Sequence, residues 1–451
     1  MPFSVMIPLP RIRPRFFRDS LPGEGISRKI CEVSEKRKSF ICATSEEDRI
    51  SSVKAERKTE KKNLPESFVD LRSEMAVIAR GEERILRFDG EGRLFLAQEG
   101  GFSFRRGFDG RIRKRPRAVR FRERTSKAQW LDGHQAEDFL VRSHETALRS
   151  LEEALRGDLP FLKNTAAEEA VEWKKRIASW TPRRYADSAS EFRRLYGSIP
   201  VLPPDQYYAV YLQVVFGCSY NRCSFCTLYA DRSFRVRTME EWRRHLEEVK
   251  RFFGRGLFLR RSYFLGDANG LAMEQEEILT RLAMARESLP ALRDGFHAFH
   301  DTFSGKERTA EEYKALRNAG LRRIYIGVES GCDELRRRMA KPGSAEAVRR
   351  RVLLAKKGGL AVGLMILLGI GGEEFSDRHV EETRNLLDSL SLSKEDIVFL
   401  SPLFVGEREE VLPGVPAPPS LERVIRREEK CFRDSLSGPR ISRYDVEQFV
   451  Y

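Results

Sequence analysis

No stretch of this 451-residue chain approaches the roughly 18 consecutive apolar residues that a membrane-spanning helix requires. The longest apolar run, residues 360–372, is broken by glycines and follows two lysines, so it reads as a buried strand ending in a glycine turn. The N-terminus, MPFSVMIPLPRIRPRFF, has too short an apolar core and too many prolines for a secretory signal. A membrane partner is therefore excluded, and a cytoplasmic location is expected. Cysteine is scarce as well, at 7, and Cys31, Cys42, Cys332 and Cys431 are scattered without metal-ligand spacing. An odd, unframed count excludes a disulfide-stapled scaffold and fits a reducing compartment.

What is present is enough to fold. Apolar residues make up 41% of the chain, sufficient for a sizeable core, and the length suggests about three domains. The net charge of +14 is unevenly placed: Gly101 to Trp130 hold 11 Lys/Arg against 2 Asp/Glu, a local net of +9. Such a run can contact phosphates, and it can equally be a solvated basic linker. Nucleic acid stays open as a partner on this ground.

Residues 1–75 are rich in Lys, Glu, Ser and Arg without apolar periodicity, and are expected to be largely disordered or weakly ordered. Residues 76–130 should form a small β meander, with Asp89-Gly90 and Asp109-Gly110 at hairpin turns, followed by the basic segment. Residues 131–202 have helical period, and His144 on the stripe of Leu140, Leu148, Leu151 and Leu155 is expected to be a packed histidine. Asp132-Gly133-His134 is half of a cobalamin-binding motif without its downstream glycine, and is discounted. From 203 to 403, six strand-like runs alternate with helical ones, which predicts an α/β domain, a partial (β/α)6 TIM-type barrel. Residues 404–451 read as a tail with one helix.

The chemistry lies in Cys218-Ser219-Tyr220-Asn221-Arg222-Cys223-Ser224-Phe225-Cys226, a C-x4-C-x2-C in the loop after the first barrel strand. Three thiolates on one loop can hold three corners of a cubane and leave a fourth iron open to a ligand. Structural zinc normally takes four ligands, and no close fourth follows; a catalytic three-ligand zinc site is the competing reading. The loop also falls at the C-terminal end of a strand, where parallel barrels bind ligands.

This triplet and the strands after it resemble the radical S-adenosylmethionine (SAM) superfamily, in particular the branch of the elongator catalytic subunit and the methylthiotransferases. The likeness covers about half of the chain, and the spacing departs from the commoner C-x3-C-x2-C by one residue. The resemblance implies that Cys218, Cys223 and Cys226 hold a [4Fe–4S] cluster whose fourth iron is chelated by SAM. It implies reductive cleavage of SAM to a 5′-deoxyadenosyl radical, which takes hydrogen from a substrate the sequence does not name. An electron donor such as a flavodoxin or ferredoxin follows from the same chemistry. By position, Phe225 would pack near adenine. Gly266, Asp267 and Ala268 would meet the SAM amino group, with Asp standing where the family has Glu. Glu329 and Ser330 would lie at the ribose and carboxylate, and Gly369 and Gly371 would let the backbone approach the cofactor. His379 and Thr383, one turn apart, are similarly placed in relatives. His297 and His300 end the third strand and read as packing histidines, one of which can line the substrate cavity. With no second cysteine cluster and no acetyl-transfer domain in view, neither a methylthiotransferase nor an elongator-like activity is expected. The alternative function is a non-catalytic iron–sulfur or zinc protein that binds nucleic acid through Arg105 to Arg124.

Overall fold

The computed structural model describes residues 65–117, 129–403, 410–412, 415–416, 420–446 and 449–451. The expected disorder of residues 1–64 and the part of the basic segment from 118 to 128 lie outside the described residues. Residues 65–451 form one compact unit.

Its first part is an antiparallel sheet of seven strands in sequential order. They are β1 (Phe68–Leu71), β2 (Met75–Arg80), β3 (Arg84–Asp89), β4 (Leu94–Glu99), β5 (Phe102–Arg106), β6 (Ile112–Pro116) and β7 (Gln129–Trp130). The meander is thus larger than expected and begins within the segment assigned to disorder, because β1 and the start of β2 precede residue 76. Alternation sets its two faces. Ala76, Ile78, Leu86, Phe88, Ala97, Phe104 and Ile112 are buried on one face. They pack against α1 (Gly133–Arg156), α2 (Ala167–Ala178) and α3 (Pro182–Tyr196), with Phe104 stacked on Phe139 at 4.5 Å.

Asp132 begins α1 as a capping box: its carboxylate accepts from Gln135 N at 2.8 Å, and Gln135 Oε1 accepts from Asp132 N at 3.3 Å. That accounts for Asp132-Gly133-His134 without a cofactor. His144 is buried, its Nδ1 3.1 Å from the Ile177 carbonyl and its Nε2 2.8 Å from the Tyr185 hydroxyl.

The second part is the barrel sheet. Six parallel strands lie in chain order, β8 (Ala209–Gln213), β11 (Ser262–Gly266), β12 (Phe296–Phe299), β13 (Leu321–Glu329), β14 (Ala361–Leu368) and β15 (Ile397–Pro402). Short pairs β9 (Val215–Phe216) with β10 (Arg235–Val236), and β16 (Glu410–Leu412) with β17 (Val415–Pro416), punctuate the loops. The crossovers run through α4 (Met239–Phe253), α5 (Gln275–Ser288), α6 (Ala310–Asn318), α7 (Asp333–Arg338), α8 (Ala345–Lys357) and α9 (Gly372–Asp388). The tail differs from expectation: after α10 (Leu421–Ser435) it returns as β18 (Arg440–Arg443), a seventh parallel strand on β15. A strand with one apolar residue, RISR, is held by its ladder bonds rather than by an apolar pattern.

Buried fasteners join the two parts. Arg93, in the β3–β4 turn, is 2% exposed and forms an ion pair with Asp89 at 2.8 Å. Its Nη1 and Nη2 donate to the carbonyls of Phe252 (3.1 Å) and Phe253 (3.0 Å), which α4 leaves unpaired at its C-terminus. Tyr451, the last residue, donates through its hydroxyl to the Ala209 carbonyl at 2.9 Å and accepts from Tyr211 N at 2.8 Å.

Candidate active site

A cavity of about 670 Å3 opens at the C-terminal ends of the barrel strands. The cysteine loop forms one wall. Gly217 begins the loop with φ +67°, a left-handed turn open to glycine, and a Cβ there would lie 3.1 Å from the Arg232 carbonyl. The β9–β10 pair closes the loop at its base. Ser224 N bonds the Met339 carbonyl at 3.0 Å, and Asn221 Nδ2 donates to the Tyr229 carbonyl at 2.9 Å. So held, Cys218, Cys223 and Cys226 all line the cavity, each partly exposed. Burial pushes the Cys223 thiol up to about 11 and raises Cys226 as well, so an electrophilic metal is needed to draw out the thiolates. Among the described residues no three His, Cys, Asp or Glu side chains converge tightly enough for a single ion.

Phe225, Ala268 and Glu329 also line the cavity. Glu329 has φ +61°, unusual for a residue other than glycine, and its carboxylate meets Lys341 at 3.3 Å. The loop beyond it is clamped by α9. His379 Nδ1 lies 2.8 Å from the Ser330 hydroxyl, and Gly331 N donates to Thr383 Oγ1 at 2.8 Å. Gly331 is required here, since a Cβ would come within 2.5 Å of the Glu382 carbonyl.

The other expected contacts lie off the cavity wall. Gly266, Asp267, Ser330, Gly369 and Gly371 are not among its lining residues. Asp267 is fully buried and accepts from Tyr211 Oη, Gly217 N (2.9 Å), Gln213 Nε2 (3.3 Å) and Arg232 Nη1 (3.4 Å). Burial raises its pKa while these donors pull it down. Through Gly217 N it pins the residue before Cys218. Gly369 accommodates α10: a Cβ would lie 2.7 Å from Ile425, and its N–H donates to Glu428 Oε2 at 2.7 Å. A Cβ at Gly371 would meet Phe375 at 2.5 Å. Cys332 is buried among Leu335, Met339 and Ile370. His300 lines the cavity and His297 does not.

Three residues escaped the sequence reading. Tyr444, just after β18, lines the cavity with a buried hydroxyl that has no hydrogen-bond partner. Lys341, in the loop after α7, supplies the cation beside Glu329. Glu428 of α10 is fully buried and accepts from Ser376 Oγ at 2.7 Å, and burial lifts its pKa to about 7. Its signal was available: Val424, Ile425, Glu428 and Phe432 share one buried helical face.

A parallel barrel with a cavity at its strand ends and a thiol-bearing loop in that cavity is the architecture of a cofactor-dependent α/β enzyme. Family comparison makes this specific, as residues 212–387 match the Radical SAM superfamily. Members of that superfamily bind a [4Fe–4S] cluster and SAM. A curated relative, the 4′-phospho-dehydrooxetanocin synthase of Priestia megaterium, is 26% identical over 215 residues, 44% of this chain and 27% of that protein. The chain thus spans about a quarter of that relative's length. Among solved structures, the radical SAM methyltransferase TsrM from Kitasatospora setae is 17% identical with a TM-score of 0.33, over 43% of this chain and 36% of that one. Coproporphyrinogen III oxidase (HemN) from Escherichia coli is 14% identical with a TM-score of 0.37, over 54% and 55%. No helix among the described residues is long and apolar enough to cross a membrane.

Proposed function

We propose that the whole protein is a radical SAM enzyme in which Cys218, Cys223 and Cys226 ligate three irons of a [4Fe–4S] cluster. The observation that carries this is the convergence of all three thiols on one cavity at the C-terminal ends of a radical SAM barrel. When bound and reduced, the cluster with SAM supplies a 5′-deoxyadenosyl radical that abstracts hydrogen from the substrate. The chain's own residues do the holding. Gly217 and the Asp267 hub set the cysteine loop, Phe225 offers a ring to adenine, and the backbone at Ala268 faces the cofactor. Glu329, held by Lys341, is placed to orient the polar end of SAM. Ser330, Gly369 and Gly371 act through the packing of α9 and α10 rather than by contact. A one-electron donor such as a flavodoxin or ferredoxin is required, and the free thiols suit a reducing, cytoplasmic setting.

Protein reconstituted anaerobically with iron and sulfide, then reduced with dithionite in the presence of SAM, is expected to hold about four irons per chain and to form 5′-deoxyadenosine. Tightly bound zinc, or a cluster that never cleaves SAM, would overturn the proposal.

A further inference from the structure

The cavity wall holds a buried polar group that is unsatisfied within the described residues. Tyr444 is 4% exposed, and its hydroxyl has no hydrogen-bond partner there. A buried hydroxyl without a partner is costly to keep, and at a cavity wall a ligand can supply the missing partner. Burial raises its pKa well above the ordinary tyrosine value, so it stays a neutral donor. Polar groups of neighbouring wall residues are already engaged. Tyr325 Oη donates to Asp205 Oδ2 at 2.6 Å, and His300 Nε2 lies 2.9 Å from Tyr313 Oη. The tail sets the position of Tyr444. Its N–H donates to the Leu400 carbonyl of β15 at 2.9 Å, and the chain then crosses to β8, where the Tyr451 hydroxyl donates to the Ala209 carbonyl. The tail so joins the last strands of the barrel sheet to the first.

The cavity has two unlike ends. Its charged lining side chains, Asp301, Glu329 and Lys341, belong with the thiols. Lys341 and Glu329 act on the Cys223 thiol. Asp301 turns back on its own loop, accepting from Ser304 N at 2.8 Å and Phe303 N at 3.2 Å. That loop meets the cysteine loop through the rings of Phe303 and Tyr220, 5.8 Å apart. The groups that bear on Tyr444 are instead Tyr207, Tyr229, Asp205 and Tyr325. Phe299, Tyr325 and Met365 of the barrel strands and Val446 of the tail supply apolar wall.

We infer that the Tyr444 end is the substrate subsite, and that it takes an uncharged, largely apolar small molecule whose carbonyl or hydroxyl oxygen accepts a hydrogen bond from Tyr444 Oη. Calling this molecule the substrate rests on the proposed function; the binding itself does not. A charged group at this end would be stripped of water with no counter-ion to meet it. A pure hydrocarbon would leave the hydroxyl unsatisfied. A neutral molecule with one well-placed acceptor meets both conditions, as ligand sites with apolar walls and few polar groups commonly require.

The test uses the full chain, left unreduced so that no turnover occurs, with and without reconstituted cluster and SAM. The probe is 6-propionyl-2-(dimethylamino)naphthalene, neutral and largely apolar with one ketone oxygen, and its retention is followed by equilibrium dialysis. The wild type is expected to retain it in both states. Tyr444→Phe should weaken binding about 5-fold, as loss of one hydrogen bond does. Its melting temperature should be unchanged or raised, because the unsatisfied hydroxyl is gone. Affinity for 2-(dimethylamino)naphthalene, which lacks the acceptor, should not change with that substitution. The carboxylate counterpart, 6-(dimethylamino)-2-naphthoate, should bind the wild type at least about 30-fold more weakly than the ketone. No retention of the ketone, equal retention by Tyr444→Phe, equal binding of the carboxylate, or loss of the probe once cluster and SAM are bound would each overturn the inference. A melting temperature that falls on Tyr444→Phe would give the hydroxyl an internal partner and overturn it too. Failure of the proposed function shows separately, in the iron count and in deoxyadenosine formation, neither of which involves the probe.

Discussion

The chain builds two seven-stranded sheets by opposite rules. The N-terminal sheet is antiparallel, so each strand divides its residues between a face packed on helices and a second face on which Arg105 donates to the Tyr207 carbonyl at 3.4 Å. The barrel sheet is parallel and covered on both sides, so β8 and β11 are buried along their whole length and polar chemistry appears only where the strands end. Alternation therefore reports on the packing in one half, and strand termini report on a cavity in the other. The largest effects should separate the halves cleanly.

Replacing any one of the three loop cysteines by Ala should abolish iron incorporation and deoxyadenosine formation, while the far-ultraviolet circular dichroism persists. A fully active Cys223→Ala would break the division. Next in size is the joint between the halves. Arg93→Ala leaves the Asp89 carboxylate buried without its cation and the α4 end uncapped, a loss of about 3–5 kcal/mol. Urea unfolding should show it as two separated transitions, and a single unshifted transition would refute the joint. Asp267→Ala should cost about 2–4 kcal/mol and lower the iron content, because four donors lose their acceptor and the cysteine loop its anchor. Normal iron content with weakened SAM binding would instead make Asp267 a direct ligand contact.

The smallest contrast is in pH. Burial depresses His144 to about 4, so between roughly pH 6.5 and 4 the unfolded chain takes a proton that the folded one refuses. Its contribution to stability falls as pH falls through that window, by up to roughly 3 kcal/mol. In the barrel, His297 and His379 act in the same sense. Glu428, raised to about 7, acts in the opposite one, losing stability as pH rises from about 4.5 toward 7. The wild-type minus His144→Gln difference in urea midpoint should therefore shrink on acidification, whereas the wild-type minus Glu428→Gln difference should grow. The same trend in both would contradict the burial assigned to one of them.

Much of this was legible, for reasons that differ between the halves. Parallel strands read as apolar runs between turns, which is why all six early barrel strands were visible, and MEEWRRHLEEVKRFF matches α4 to the residue. β18 was not visible, because RISR carries one apolar residue and owes its place to ladder bonds with β15. β1 and β2 were hidden beside a Lys- and Glu-rich stretch, since FVDL alone is too short to show alternation. In the cavity, the cysteines were legible from spacing because one loop carries all three. Lys341 and Tyr444 come from other segments that only the closed barrel brings together. Asp267, expected at the SAM amino group, sits in a buried hub, and a strand-end carboxylate looks the same in sequence whether it faces a ligand or such a hub.

The central claim is that the three thiols hold a cluster with one iron open to SAM. It is tested most directly by electron paramagnetic resonance of the dithionite-reduced, reconstituted protein with and without SAM. A reduced [4Fe–4S] signal whose g-values shift when SAM is added, and which Cys218→Ala abolishes, is the predicted result. A cluster signal indifferent to SAM, or one that survives loss of Cys218, would contradict it.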